Sequence, residues 1–188
     1  MKRYQTLGIL LLSAVFLSFT QKTVLFGVKW PYLGHLAWVV LVPIFMLIPH
    51  LTRRDSFYCG FWFGIYYYSL CLYWVAIALL RYGEVSALGS ALGLGALVGF
   101  LSIFHGILFG GLHFFSKHLR SYYPLAAAAW WVLLDYVKNY IPLGGFPWAS
   151  LGYSQSAFLT LLQLVDLTGI YGITFLLVFT NAVVAQLL

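Results

Sequence analysis

Polar residues fall in a few short clusters along this chain, and the runs between them are almost wholly apolar. The first run, over 7–19, follows Lys2-Arg3 and stops at Thr20-Gln21-Lys22. A second, over 33–48, ends in Pro49-His50 and Arg53-Arg54-Asp55. Further runs cover 57–80, 86–115 and 123–140, and a last one begins near Leu161. Apolar runs near 20 residues are the mark of membrane-crossing helices. The pattern predicts an all-α, polytopic membrane helix bundle with about six transmembrane helices in a single domain. Approximate spans are 4–20, 33–49, 57–80, 86–115, 123–141 and 161–188, with an interfacial loop over 142–160. The first run has the shape of a signal peptide, but no small-residue cleavage site follows it, so it reads as a retained span. Pro43 lies inside the second span and is expected to kink it.

Composition supports this reading. Hydrophobic residues make up 63% of the 188 and charged residues 7%, too few charges to cover a soluble domain. The net charge of +6 is spread over short inter-span segments rather than gathered on one face, which argues for membrane topology and against nucleic-acid binding. Across six spans, Lys2, Arg3, Arg53, Arg54, Lys117 and Arg120 fall on the N-terminal side. Lys22, Lys29, Arg81 and Lys138 fall on the other. The asymmetry favours a cytoplasmic N-terminus and an outward-facing 142–160 loop. Gly60 and Gly64, and the glycines at spacing four between Gly89 and Gly110, predict close helix–helix contact. The last run ends at Leu187-Leu188 without a polar flank, so the natural chain is expected to continue.

Little of this suggests a reaction centre. Cys59 and Cys71 lie about 18 Å apart along one helix and read as apolar filler, not as nucleophiles. His105 and His113 have neither the spacing nor the additional ligands of a metal site, and they read as core histidines. No cofactor or metal is expected. The unusual stretch begins at Trp130-Trp131. Asp135 sits in an apolar helix, where a charge is costly, and Lys138 follows on the same face, where the two can pair. The pair either staples the helix end or contacts a substrate. Then Gly144-Gly145-Phe146-Pro147-Trp148 breaks the helix. Non-helical backbone at membrane depth must be buried in protein or line a wet cavity, so this segment is either an interfacial anchor or a wall of a lipid cleft.

The same residues resemble the apolipoprotein N-acyltransferase family, bacterial inner-membrane enzymes that complete lipoprotein maturation. That family carries Trp-x-x-x-Glu-x-x-Arg, then Gly-Phe-Pro-Trp, then Gly-Tyr-Ser-Gln. Trp131 opens the match, with Asp135 and Lys138 at the Glu and Arg positions as conservative departures. Gly145-Phe146-Pro147-Trp148 and Gly152-Tyr153-Ser154-Gln155 match fully. Gly169-Ile170-Tyr171-Gly172, Asn181, Tyr73-Trp74-Val75 and Tyr82-Gly83 extend the likeness over most of the chain from Trp30. The resemblance implies an enzyme whose periplasmic nitrilase-like domain, with a Glu-Lys-Cys triad, takes an acyl chain from a phospholipid as a thioester. It passes that chain to the α-amino group of a diacylglyceryl-cysteine lipoprotein. The triad lies in the later part of the family's chain and none of it is in these 188 residues, so no catalytic residue is assigned. The implied partners are membrane phospholipid, the diacylglyceryl lipoprotein substrate, and a catalytic domain in cis or in trans. Phe146, Pro147, Trp148, Tyr153 and Gln155 are the candidate lipid- or substrate-facing residues, with Asp135 and Lys138 as a structural charge pair beneath them. The alternative is a stand-alone anchoring or assembly subunit for a separately encoded nitrilase-like or glycosyltransferase partner. A transporter would call for a matching break in the first half, and none is legible.

Overall fold

The structure, a computed structural model, describes residues 3–21, 24–25, 28–29, 31–141 and 145–188. Lys2, Lys22, Trp30 and Gly144, each used above, lie outside them. Helix α1 (Arg3–Thr20) leads into two short strands, β1 (Val24–Leu25) and β2 (Val28–Lys29), paired antiparallel. A 3-10 segment (Pro31–Trp38), α2 (Val42–Leu47) and a 3-10 turn (Ile48–His50) follow. The long helices α3 (Arg53–Tyr82) and α4 (Ala87–His118) come next, then α5 (Tyr123–Lys138), a 3-10 turn (Leu151–Gln155), α6 (Leu159–Leu162) and α7 (Val165–Leu187). The molecule is an all-α membrane helix bundle. Among the described residues, four segments are long and apolar enough to cross a membrane: Leu33–His50, α3, α4 and α7. The apolar part of α1 and the 16-residue α5 are shorter.

Local chemistry fixes the helix starts. Thr52 accepts a hydrogen bond from the Asp55 amide at 3.1 Å and donates to its carboxylate at 2.7 Å. This cap begins α3 four residues before the apolar run and draws Arg53, Arg54 and Asp55 into its first turn. Ser86 caps α4 through the Gly89 amide. α4 likewise runs on through Ser116, Lys117 and His118, expected to be loop. α3 and α4 form an antiparallel hairpin in which Gly60 lies against the His105 carbonyl and Gly64 against Ser102. Gly95, Gly99 and Gly110 face open space instead, so only part of the glycine pattern marks close contact.

The second span departs most from expectation. It is a broken segment, not a kinked helix, and Pro43 opens α2 at its first turn, where a missing N–H costs nothing. The break lies just before it. Asn181 of α7 serves the break: its side-chain amide donates to the Ala37 carbonyl at 2.8 Å, and its oxygen accepts from the Leu41 amide at 2.9 Å. α7 is itself interrupted at Gly169, whose backbone is in the left-handed half of conformational space at φ 63°.

Candidate functional site

Asp135 and Lys138 project from α5 into the core, with Trp131 one turn before them. Lys138 Nζ lies 3.1 Å from Asp135 Oδ1, and the two side chains are only 2% and 9% exposed. The contact lacks the alignment of a hydrogen bond. Lys138 Nζ and Asp135 Oδ2 have no hydrogen-bond partner among the described residues, nor do Tyr68 Oη and His105 Nδ1. Lys138 Nζ also sits 6.0 Å from the centre of the Tyr68 ring, within reach of a cation–π attraction. His105 meets Tyr68 and Trp131 edge-on at 5.1 and 6.1 Å. It is a core residue, as read from the sequence. His113 faces elsewhere, near the Ile48 carbonyl. Among the described residues, no three His, Cys, Asp or Glu side chains converge as metal ligands do.

The chain then folds back over the end of α5. The Phe146 amide donates to the Lys138 carbonyl at 2.9 Å, satisfying one of the carbonyls that a helix end leaves open. Asn139 donates to Tyr171 Oη at 2.8 Å, tying the turn to α7. Gly145 makes the return possible, with φ at 78° and the Asn139 backbone carbonyl where a side chain would begin. Gly145→Ala therefore imposes left-handed backbone on an L-residue and a backbone clash. It is expected to cost about 2 kcal/mol or more, read as a lower thermal unfolding midpoint. An unchanged midpoint would mean that this turn is not what holds the segment.

Beyond the turn, the motif builds an aromatic wall. Phe146 and Trp148 lie 5.1 Å apart between ring centres, and Trp74 of α3 meets Trp148 edge-on at 6.2 Å. Trp148 is 54% exposed, and Pro147 beside it is also exposed. Behind Trp148, Ala149 adopts left-handed backbone at φ 61°, a conformation disfavoured for an L-residue. Its carbonyl accepts from Tyr67 Oη at 3.0 Å, which holds it. A groove of about 380 Å³ opens here, lined by Gln21, Cys71, Leu72, Trp74, Trp148 and Tyr153. Phe146, Pro147, Trp148 and Tyr153 are thus brought together at one end of the bundle. Trp74 and Tyr67 belong with them; an aromatic pair at the far end of the third apolar run was the available signal for Trp74.

Gln155 differs from expectation. It is fully buried, and its amide donates to the Gly34 carbonyl at 2.8 Å and to Ser154 Oγ at 2.9 Å. Its oxygen accepts from Trp38 Nε1 at 3.2 Å. It ties the motif to the broken second span instead of facing the groove. Gly152 completes the seat: its amide donates to Thr174 Oγ1 at 3.0 Å, and it lies against Ile170, beside the interruption of α7.

Residues 13–183 match the family model described as the apolipoprotein N-acyltransferase N-terminal domain. An apolipoprotein N-acyltransferase of Geobacter metallireducens is 32% identical over 161 residues, covering 84% of this chain and 30% of that protein. One from Rickettsia prowazekii is 29% identical over 164 residues, covering 79% and 32%. One from Vibrio parahaemolyticus is 28% identical over 114 residues, covering 60% and 22%. The chain thus spans less than a third of the length of these relatives. With the aromatic wall, the buried charge pair and the seated Gly-Tyr-Ser-Gln turn all falling within the matched region, the chain belongs to the apolipoprotein N-acyltransferase family and carries its N-terminal membrane domain.

Proposed function

We propose that this chain is a six-crossing membrane domain that admits phospholipid beside the 142–160 loop. In this reading it supports transfer of an acyl chain to the N-terminal diacylglyceryl-cysteine of a lipoprotein. The observation that carries the proposal is the groove where Trp74, Trp148 and Tyr153 meet. Its aromatic side chains combine an apolar body with a polar tip, which suits the level of lipid headgroups. Phe146, Pro147, Trp148 and Tyr153 face the lipid. Gln155 and the Asp135–Lys138 pair hold that wall in place. The domain sits in the bacterial inner membrane with its N-terminus in the cytoplasm and the groove on the periplasmic side. This follows the Lys and Arg asymmetry. The chemistry itself is supplied by a catalytic domain in cis or in trans.

The test is N-acylation of a diacylglyceryl-cysteine lipoprotein in cells whose only such enzyme is the native protein. Trp148→Ala is expected to reduce acylation about tenfold, the usual effect of truncating a central aromatic contact, at an unchanged protein level. Full acylation at a normal protein level sinks the proposal. The intact mass of the protein in its own membrane separates the two arrangements. A mass well above the 21.2 kDa of this chain places the catalytic domain in cis. A mass near 21.2 kDa gives the chain the role of an assembly subunit for a separate partner.

A further inference from the structure

The chain between the end of α5 and the Gly152 turn is fastened on both sides. The Phe146 amide is held by the Lys138 carbonyl at 2.9 Å. Ser150 is 1% exposed, and its carbonyl accepts from the Gln21 side-chain amide at 3.4 Å. Between these fastenings, Pro147, Trp148 and Ala149 have one hydrogen bond to the bundle among the described residues. It runs from Tyr67 Oη to the Ala149 carbonyl at 3.0 Å. Ala149 has φ 61° and lies in a turn, and glycine is the usual residue at such an angle. Left-handed backbone is disfavoured for alanine about tenfold, and one hydrogen bond is worth about fivefold. The two effects are of similar size, so the Tyr67 bond decides which backbone Ala149 keeps. Tyr67 is itself fixed, being 2% exposed with its ring stacked on Phe63 at 6.1 Å.

We infer that Tyr67 is a positioning residue for Trp148: its hydroxyl keeps Ala149 in left-handed backbone, and that backbone sets the Trp148 ring against Trp74. The inference rests on the reading of this groove as the lipid site. Strained backbone persists where its surroundings hold it, and it gathers at sites that bind or switch. Trp148 is 54% exposed, and among the described residues its ring meets the rings of Phe146 and Trp74 alone. Little besides the backbone therefore fixes it. Without the Tyr67 bond, Ala149 relaxes to ordinary right-handed or extended backbone and carries Trp148 away from Trp74. A lipid then meets a complete groove in only part of the molecules, and its apparent affinity falls by that fraction.

The experiment uses the whole native protein, with its catalytic partner where that is separate, and reads two quantities. The first is tryptophan emission in phosphatidylcholine vesicles with and without bromine, a quencher, on the acyl chains. The Trp148 share is the part that Trp148→Phe removes. The second is the KM for a phosphatidylethanolamine donor titrated in detergent micelles during N-acylation. Tyr67→Phe is expected to change the quenching of the Trp148 share about twofold or more, and to raise the donor KM about fivefold at unchanged kcat. Adding Ala149→Gly, which adopts left-handed backbone without strain, should return both to near the unaltered values. A hydroxyl that merely supports the fold would not be rescued in this way. Tyr66→Phe, which removes the neighbouring hydroxyl, should change neither. An unchanged Trp148 share in Tyr67→Phe overturns the inference. So does a Tyr67→Phe, Ala149→Gly double variant no better than Tyr67→Phe, since the hydroxyl would then not act through Ala149. If the Trp148 share moves and returns as expected while the donor KM stays flat, the positioning stands and the lipid reading of the groove falls. Phenylalanine keeps the ring in its packed place, and a melting curve of each variant checks that it is folded.

Discussion

Asp135→Ala is expected to lower stability by about 3–5 kcal/mol, the usual cost of removing one partner from a buried ion pair. The size follows from where Lys138 is left. Its side chain is 2% exposed, the carboxylate is its one ionic partner among the described residues, and the Tyr68 ring can compensate only weakly. The ammonium must then lose its proton, draw in water or force α5 outward. Asp135→Ala with Lys138→Met removes the charge together with its partner. That double variant is expected to recover most of the loss, because a packed apolar pair often does as well as a buried ion pair. Thermal unfolding of the three proteins in one detergent measures both effects. An Asp135→Ala midpoint equal to that of the unaltered protein would show that Lys138 reaches water. A double variant no better than the single one would place the cost in packing, not in charge.

Asn181→Leu is expected to cost about 4 kcal/mol, for a different reason. Leucine suits a membrane helix and adds apolar surface. However, it withdraws the one side chain that answers both the Ala37 carbonyl and the Leu41 amide. Each buried backbone group left unpaired costs about 1–3 kcal/mol, and lipid offers no substitute. Asn181→Asp keeps an acceptor for Leu41 and loses the donor for Ala37, so its midpoint should fall between the two. In a domain of this size a kilocalorie moves the midpoint by about 2–4 °C. An Asn181→Leu shift below about 3 °C would mean that the broken span finds other partners.

These two sites differ in how far the sequence reveals them. Asp135 and Lys138 stand out because charges are scarce and the pair shares one helix face three residues apart. The long helices were also legible, since α3, α4 and α7 coincide with long apolar runs and Thr52 and Ser86 supply local caps. The break between Trp38 and Val42 was not. The segment around it is uniformly apolar, and what makes a gap tolerable there is Asn181, which lies on a distant helix. Gln155 misleads for the same reason. Among aromatics in a Gly- and Pro-rich loop it suggests a headgroup contact, whereas the fold turns it inward to Gly34 and Trp38. The glycines of α4 show the converse limit, because spacing alone does not say which side of a helix a neighbour occupies.

The reach of Asn181 also imposes an order on biogenesis. Ala37 and Leu41 are synthesised 144 and 140 residues ahead of the side chain that completes them. Until α7 arrives, the second apolar segment carries an open polar seam that lipid cannot close. A released chain that ends before α7 lacks the side chain that closes that seam. The second segment is therefore completed only by α7, and it waits in an unfinished state for Asn181.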